Sequence, residues 1–493
     1  MEEMNILMEQ RLEKAQQMKE EGLELFQYKY DKQHTVAEIL KTFEDAAEEE
    51  TGDVRTAGRL MIKRVHGKTG FADLKDDSGH IQLYFRRDVV GEEAYKIFKR
   101  LDIGDIIGVH GTIFRTHSGE LTLFVKDFSL LTKSFRPLPE KFHGLQDKEL
   151  RYRQRYVDMI VNDDVRERFR NRSRLISLIR RTMEKAGYIE VETPVLVQMY
   201  GGADARPFMT HHNALSRDLY LRISLETYLK RLVVGGLEKV FEIGRVFRNE
   251  GLSKRHNPEF TLMEFYAAYH DLYDMMDFTR ELILACVDGM GYESRKVAYG
   301  ERTIDFNLPW KSISMVDAIK EYTGLDVLSM ETEALRSKLK EFNPDLDTKK
   351  MGQGKLIQEI FEATVEEHLV DPTFITDHPL EISPLAKKKR GDETGLFVER
   401  FELFINGWEM ANAFSELNDP MDQEERFRSQ EANFEAGDEE AQRLDEDFIR
   451  ALQYGLPPAG GVGIGVDRLV MLLTDAETIK DVIPFPLLKD EGK

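Results

Sequence analysis

The hydrophobic period of the chain changes at Val54. Upstream, residues 5–30 follow an amphipathic helical pattern rich in Lys, Glu and Gln. Downstream, short stretches alternate apolar and polar side chains, as half-buried strands do. Five such stretches run to Thr132: VRTAGRLMIKRV, GFADLKD, HIQLYFRRD, DIIGVHGTIF and ELTLFVKDFSLL. Turn-forming DDSGH and THSGE punctuate the series, and a helical piece, GEEAYKIFKRLD, lies between the third and fourth strands.

Five strands with a helix between three and four is the OB-fold arrangement, a platform for single-stranded nucleic acid. Charge agrees with this placement. The chain carries a net charge of −21, which argues against a generic nucleic-acid binder. Residues 51–140, however, hold 15 Lys and Arg against 12 Asp and Glu, leaving 54 against 78 elsewhere. A polyanion would therefore meet 51–140 first. The acidic run EDAAEEETGD (44–53) is read as a linker or solvated helix end, so 1–50 form a helical extension and linker.

At 493 residues the chain exceeds one ordinary core. FRPLPEKFHGLQD (135–147) reads as a Pro-punctuated connector, and 141–493 as one large domain. In it, long helices (164–187, 225–235, 271–290) are interspersed with strands near 240–269 and 400–417, an α+β pattern. Residues 295–350 are polar and read as an insertion; AKKKR (386–390) reads as a solvated loop. No apolar run reaches membrane-span length, and the acidic N-terminus fits no signal peptide. The single cysteine, Cys286, excludes an internal disulfide framework and a cysteine-based zinc site. These features point to the cytosol.

The stretch VFEIGRVFRNEGLSKRHNPEFTLMEFY (240–266) predicts a hairpin. Phe241, Ile243, Arg245 and Phe247 share one face of its first strand; Glu242, Val246, Arg248 and Glu250 share the other. Its second strand puts Phe260, Leu262, Glu264 and Tyr266 together, and its loop carries Arg255 and His256. Guanidinium groups beside an aromatic face suit a nucleoside triphosphate. GWEMANAFSELND (407–419) places Asn412, Phe414 and Glu416 on one face, with Glu402 and Glu409 nearby. AGGVGIGVDRLVMLL (459–473) is a Gly-rich strand running into a helix near Asp467 and Arg468. Its spacing is not that of a dinucleotide loop and no phosphate-binding G-x-x-x-x-G-K-[ST] occurs, so any ATP is held otherwise.

These stretches resemble the ordered motifs of a class II aminoacyl-tRNA synthetase: GYIEVETPVL (187–196, with Pro194) motif 1, FRNE with RHNPEF motif 2, and GVGIGVDRLVML motif 3. The OB domain in front marks the subgroup serving lysine, aspartate and asparagine. KFHGLQDKELRYRQRYVD, GGADARPFMTHHNAL and YLKRLVVGG closely resemble the bacterial-type lysyl-tRNA synthetase family, from about residue 50 to the C-terminus. The resemblance implies a class II catalytic domain, an antiparallel sheet flanked by helices, joined to an anticodon-binding OB domain. It implies activation of L-lysine by ATP with Mg²⁺, transfer to tRNA(Lys), and a homodimer built on motif 1.

By the same resemblance, Arg248 contacts the ATP α-phosphate and the lysine carboxylate. His256 and Arg468 hold the distal phosphates, Glu250 lies on the ATP side, and Phe260 stacks on adenine. Glu402 and Glu409 hold magnesium. Gly202 and Glu226 receive the α-amino group; Glu264, Tyr266 and Glu416, with Asn412 and Phe414 beside them, take the ε-ammonium. Phe71, Gln82 and Glu120 read the anticodon. The ε-ammonium assignment has independent physical support, because a buried ammonium needs opposite charge and oxygen acceptors. An aspartate pocket would need cations there instead.

An aspartyl- or asparaginyl-tRNA synthetase is the nearest rival; a silent RNA-binding or amino-acid-sensing paralogue could dispense with Arg248, Glu409 or Arg468, all present. A metal hydrolase lacks ligand-spaced partners for His211 and His212. Two positions depart from the family. RISLE (222–226) replaces the usual Arg-Ile-Ala, and Ser224 resembles paralogues that attach β-lysine to elongation factor P, although it is read first as a helix cap. Asp204 replaces a residue that is usually small.

Overall fold

The computed structural model describes residues 2–139, 145, 147–435 and 443–490. The chain divides into two compact units, Met1–Gln146 and Asp147–Lys493. In the first, helices α1 (Glu2–Glu20) and α2 (Val36–Thr42) precede β1 (Thr51–His66), β2 (Thr69–Lys75), β3 (His80–Arg86), α3 (Glu92–Arg100), β4 (Ile106–Arg115) and β5 (Leu121–Thr132). The strands close into a barrel in the order β1-β2-β3-β5-β4. Closure requires β1 to serve two partners. Its first part pairs with β4 and its second with β2, and an irregularity between Leu60 and Ile62 bends it between them. Leu60, Leu74, Leu83, Phe85, Val109 and Val125 fill the interior, and Tyr95 and Phe98 of α3 join the same core.

Two expectations change here. The first helix stops at Glu20, where the Leu23 amide returns to the Met18 carbonyl at 3.0 Å, instead of running to 30. The acidic run 44–53 is not a free linker. Thr51–Asp53 already belong to β1, Glu50 binds Lys126 (2.6 Å) and Thr112 (2.7 Å), and Asp53 binds His110 (2.6 Å).

In the second unit, α4 (Asp163–Lys185), β6 (Ile189–Glu190), α5 (Glu226–Val234), β7 (Lys239–Phe247), β8 (Glu259–Ala268) and α6 (Leu272–Gly289) come first. They are followed by β9 (Lys311–Ser314), α7 (Met315–Thr323), α8 (Thr332–Phe342), α9 (Gln353–Thr364) and β10 (Thr373–Thr376). The unit ends with β11 (Arg400–Ile405), β12 (Trp408–Ser415), α10 (Glu446–Gln453), β13 (Ala459–Gly465) and α11 (Val466–Leu473). The central sheet runs β9-β10-β11-β12-β13-β8-β7-β6. Its six inner strands are antiparallel; each edge pair, β9–β10 and β7–β6, is parallel.

One sheet face, with Phe241, Met263, Phe265, Ala413, Val462 and Ile464, is buried with residues of α4, α6 and α11. The opposite face is partly covered by α5 and α10 and otherwise lines a cleft. Residues 295–350, expected as an insertion, are woven into the domain. Val297, Ile304 and Phe306 enter the main core, and β9 is a sheet edge. Helices α7, α8 and α9 share a satellite core with Ile375 and Phe404 of the sheet. Most of the connector's tail, 140–144 and 146, lies outside the described residues. No helix among the described residues is long and apolar enough to cross a membrane.

Candidate active site

The Gly-rich strand explains the cleft. Cross-strand register sets Glu264, Gly463, Asn412 and Glu402 in one row, and Tyr266, Gly461, Phe414 and Arg400 in the next. Paired residues in an antiparallel sheet project to the same side, so the glycines at 461, 463 and 465 remove side chains from that face alone. Val462 and Ile464, on the other face, are core. A Cβ at Gly461 would run into Glu416 Oε1 and the Tyr266 ring. The resulting cavity measures about 390 Å³, in the range of small-ligand sites.

One end of the cleft gathers buried carboxylates. Glu264 accepts hydrogen bonds from the Leu225 amide and the Tyr266 hydroxyl, each at 3.0 Å. Burial, reinforced by the neighbouring charge of Glu226, pushes its carboxyl up to about 7. Glu416 is 1% exposed, and burial pushes it up to about 8 although Lys230 pulls the other way. The phenol of Tyr266 is held well above its ordinary range by the same burial and by Glu264. Gly202 adopts a left-handed φ of 86°, and a side chain there would strike Ser224 and the Cβ of Glu226.

Ser224 does not cap the helix. Its hydroxyl donates to the Gly201 carbonyl at 2.8 Å, and α5 starts without a side-chain cap. Ser224 thus ties the glycine loop to the strand-to-helix junction. Asp204 also lines the cleft, on that loop.

The other end is built from arginines. Arg248 donates to the Ile223 carbonyl at 3.3 Å and lies 5.3 Å from the Phe260 ring centre. Arg468 donates to the Glu409 carbonyl (2.5 Å), its Oε2 (3.3 Å) and His256 Nε2 (3.3 Å). His256 Nδ1 lies 2.8 Å from Ser253 Oγ. A ring nitrogen that accepts from Arg468 belongs to a neutral imidazole, and burial together with Arg468 lowers the basicity of His256 accordingly. Glu250 is exposed at the cleft wall, and Arg255 reaches Gly407 and the face of Trp408.

The start of α11 is fixed from two sides. Asp467 accepts from the Thr261 amide (2.7 Å) and pairs with buried Arg172 of α4, which also bonds Thr261 Oγ1 (2.9 Å). Removing one partner of such a pair costs about 3–5 kcal/mol. The strand carrying Phe260 and the helix carrying Arg468 are thereby locked in register.

Glu402 and Glu409 line the cleft from β11 and β12. Each faces an arginine: Arg400 donates to Glu402 at 2.6 Å, and Arg468 approaches Glu409 as above. Among the described residues no group of three His, Cys, Asp or Glu is arranged to hold a metal unaided. Two hard carboxylate donors suit a magnesium ion that completes its shell with phosphate oxygens and water, so the donor set fits.

In the barrel, Phe71 is half-buried and stacks on Tyr84 (4.7 Å, 29°), not in the core. Gln82 donates to Glu120 at 2.8 Å and accepts from Thr122 at 2.9 Å. Tyr84, Phe114 and Phe124 continue the aromatic platform, with the Lys126 ammonium 3.9 Å from the Phe124 centre. Arg86 lies 6.0 Å from the same ring centre, and Gln82, Tyr84 and Arg86 alternate along β3 on one face.

Other candidates find ordinary roles. Cys286 is core; His211 pairs with Asp218 (2.7 Å), and His212 caps a short turn. The cations of AKKKR are mostly exposed, as a solvated loop requires, and pair at the surface with Asn418, Asp422, Asp377, Asp271 and Glu399. The clearest residue that sequence reading missed is Lys230, whose ammonium lies 2.5 Å from Glu226 and pairs with Glu416.

Comparison with known proteins agrees with this geometry. Residues 147–489 match the family model of tRNA synthetases class II (D, K and N), and 54–131 that of the OB-fold nucleic acid binding domain. The lysine–tRNA ligase of Moorella thermoacetica is 52% identical over 98% of both chains. That of Staphylococcus epidermidis is 50% identical over 99% of this chain and all of its own; that of Listeria monocytogenes is 51% identical over 99% and 98%. The chain belongs to the class II (D, K and N) tRNA synthetases, and within them to the lysine–tRNA ligase family.

Proposed function

We propose that the cleft condenses L-lysine with ATP and that the lysyl group then passes to the 3′ end of tRNA(Lys). The observation that carries the reading is the polarity of the cleft: the buried carboxylates Glu226 and Glu264 and the Tyr266 phenol line one end, with buried Glu416 behind Gly461, and Arg248, His256 and Arg468 line the other. A substrate with ammonium groups at one end and a carboxylate to be activated at the other fits that order. Lys230 does not make the site an aspartate pocket, because its ammonium is committed to Glu226 and Glu416.

Gly202 and Glu226 take the α-ammonium; Glu264, Tyr266 and Glu416 take the ε-ammonium, beside Asn412 and Phe414. Arg248 draws the lysine carboxylate to the α-phosphorus, Phe260 stacks on adenine, and Glu250 bounds the ATP side. An oxygen of the carboxylate forms the new bond to phosphorus as the bond to pyrophosphate breaks, giving lysyl-adenylate. The ribose hydroxyl of tRNA then attacks the carbonyl, AMP leaves, and the hydroxyl proton is lost. Arg248 and Arg468 stabilise charge on the phosphate oxygens, and positioning supplies much of the remaining rate. Glu402 and Glu409 would hold magnesium, which when bound supplies further neutralisation of the phosphates. In the barrel, Phe71, Gln82 and Glu120 read an unpaired anticodon by stacking and base-edge contacts.

A cytoplasmic homodimer completes this reading, with motif 1 at its interface. ATP–pyrophosphate exchange without tRNA tests it, with lysine, β-lysine, ornithine, aspartate and asparagine in parallel. Exchange driven by lysine is expected. Exchange driven by aspartate or asparagine, or none with folded protein, would overturn it.

A further inference from the structure

Lys230 is an unusual residue to find buried behind the carboxylates of this cleft. Its side chain is 1% exposed, deeper than most apolar groups of the same core. It lies between Glu226, one helical turn back on α5, and Glu416, which follows β12. The rings of Phe414 and Phe448 lie 5.2 and 5.9 Å from its ammonium. Burial reduces solvent screening of the pair, at a desolvation cost that the two carboxylates offset. Glu416 Oε1 is buried, has no hydrogen-bond donor and lies where a Cβ on Gly461 would intrude. Glu416 Oε2, likewise buried without a hydrogen-bond donor, is ion-paired with Lys230, while Oε1 faces Gly461 on the cleft wall.

We infer that Lys230 is a positioning residue of the amino-acid pocket: its ammonium spaces Glu226 from Glu416 and cancels one of three carboxylate charges. Glu226, Glu264 and Glu416 carry three negative charges when ionised; with Lys230, two remain. A diamino acid brings two ammonium groups, and its own carboxylate is answered by Arg248. Charge then closes for a substrate with two ammonium groups and fails by one for a monoamino acid. The inference rests on the proposed reading of this pocket as the lysine site. The titratable and charged groups around Lys230 are Glu226 on its own helix, Glu416, Glu264 and Tyr266 on β8, and Arg400 on β11.

Lysine-dependent exchange between pH 6 and 9 tests the inference, with lysine and ATP varied separately. Lys230→Met removes the charge and keeps the length. Its lysine KM is expected to rise about tenfold or more, with ATP KM within about twofold. The acid limb of kcat/KM for lysine should move to higher pH by about one unit, because Glu416 loses the cation that favours its ionised form. A purely structural role would lower Tm and leave both the limb and the ratio of the two KM values in place, which would overturn the inference. The double variant Lys230→Met/Glu226→Gln restores the charge count. Its limb should return toward wild type, and this variant decides the matter if the single one does not fold; a limb still displaced would refute charge balancing. Glu416→Gln separates the two levels of the argument. If lysine KM is unmoved in both Glu416→Gln and Lys230→Met, the pocket reading fails; if only in Lys230→Met, this inference alone fails.

Discussion

The two ends of the cleft solve opposite problems. At the carboxylate end, charges are buried, closely paired and shifted toward neutrality: Glu264 rises to about 7 and Glu416 to about 8. At the arginine end, side chains are partly open and lean on replaceable partners, a backbone carbonyl for Arg248 and the neutral His256 for Arg468. A rigid, water-free acceptor selects its ligand before reaction, because an unmatched occupant leaves buried charge unpaired. Open cations can follow a phosphate whose charge moves during reaction. Selection and chemistry are thus placed apart at two ends of one cleft, whose floor the glycines of β13 keep free of side chains.

Substitution at each end should separate these roles. Glu416→Gln keeps the shape but removes the charge that the proposed site offers the ε-ammonium. Its kcat/KM for lysine should fall by at least about a thousandfold, nearly all of it in lysine KM. Arg468→Ala should lower kcat for exchange by about a hundredfold, with lysine KM changed much less. Steady-state exchange with each substrate varied measures both. A fall in kcat at the carboxylate end, or a selective loss of lysine affinity at the arginine end, would break the comparison.

The raised carboxyls give a gentler test. In the folded, empty protein, Glu264 and Glu416 bind protons more tightly than in the unfolded chain. Their contribution to stability is therefore full below the unfolded carboxylate range and is lost as pH rises through about 7 to 8. Lysine binds the ionised forms, so its stabilisation runs the other way. The increase in Tm on adding saturating lysine should be larger at pH 8.5 than at pH 6. Thermal denaturation with and without lysine checks the sign, and Glu416→Gln should flatten the dependence.

Sequence reading succeeded where period and position carry the information. The alternation of Glu264 with Tyr266, and of Asn412 with Phe414, placed each pair on a face, and the register then joined those faces. It failed where partners are remote in sequence. Glu226 and Lys230 look like an exposed i,i+4 helix pair, and nothing local reveals that Glu416 and two aromatic rings enclose the lysine. The acidic run at 44–53 is solvated as read, but its last residues are paired with Lys126 and His110 of other strands, which nothing local reveals. Ser224 reads as a cap because the Gly201 carbonyl it binds lies on another loop.

The barrel offers the mildest perturbation, and it extends the comparison from ions to a stacked base. Phe71 sits half-buried on Tyr84, outside the barrel core formed by Ala72 and Leu74, so removing its ring opens no internal cavity. Stacking of an unpaired base on such a ring is worth about 1–3 kcal/mol. Phe71→Ala should therefore raise the KM for tRNA(Lys) in aminoacylation by about tenfold, read against the exchange rate without tRNA. Gln82→Ala should add a change in preference among anticodon bases, because Gln82 presents polar atoms to a base edge and Phe71 presents only a face. An equal fall in exchange and aminoacylation would instead mean damage to the catalytic unit. An unchanged tRNA KM would move recognition away from this platform, to the cations around Phe124.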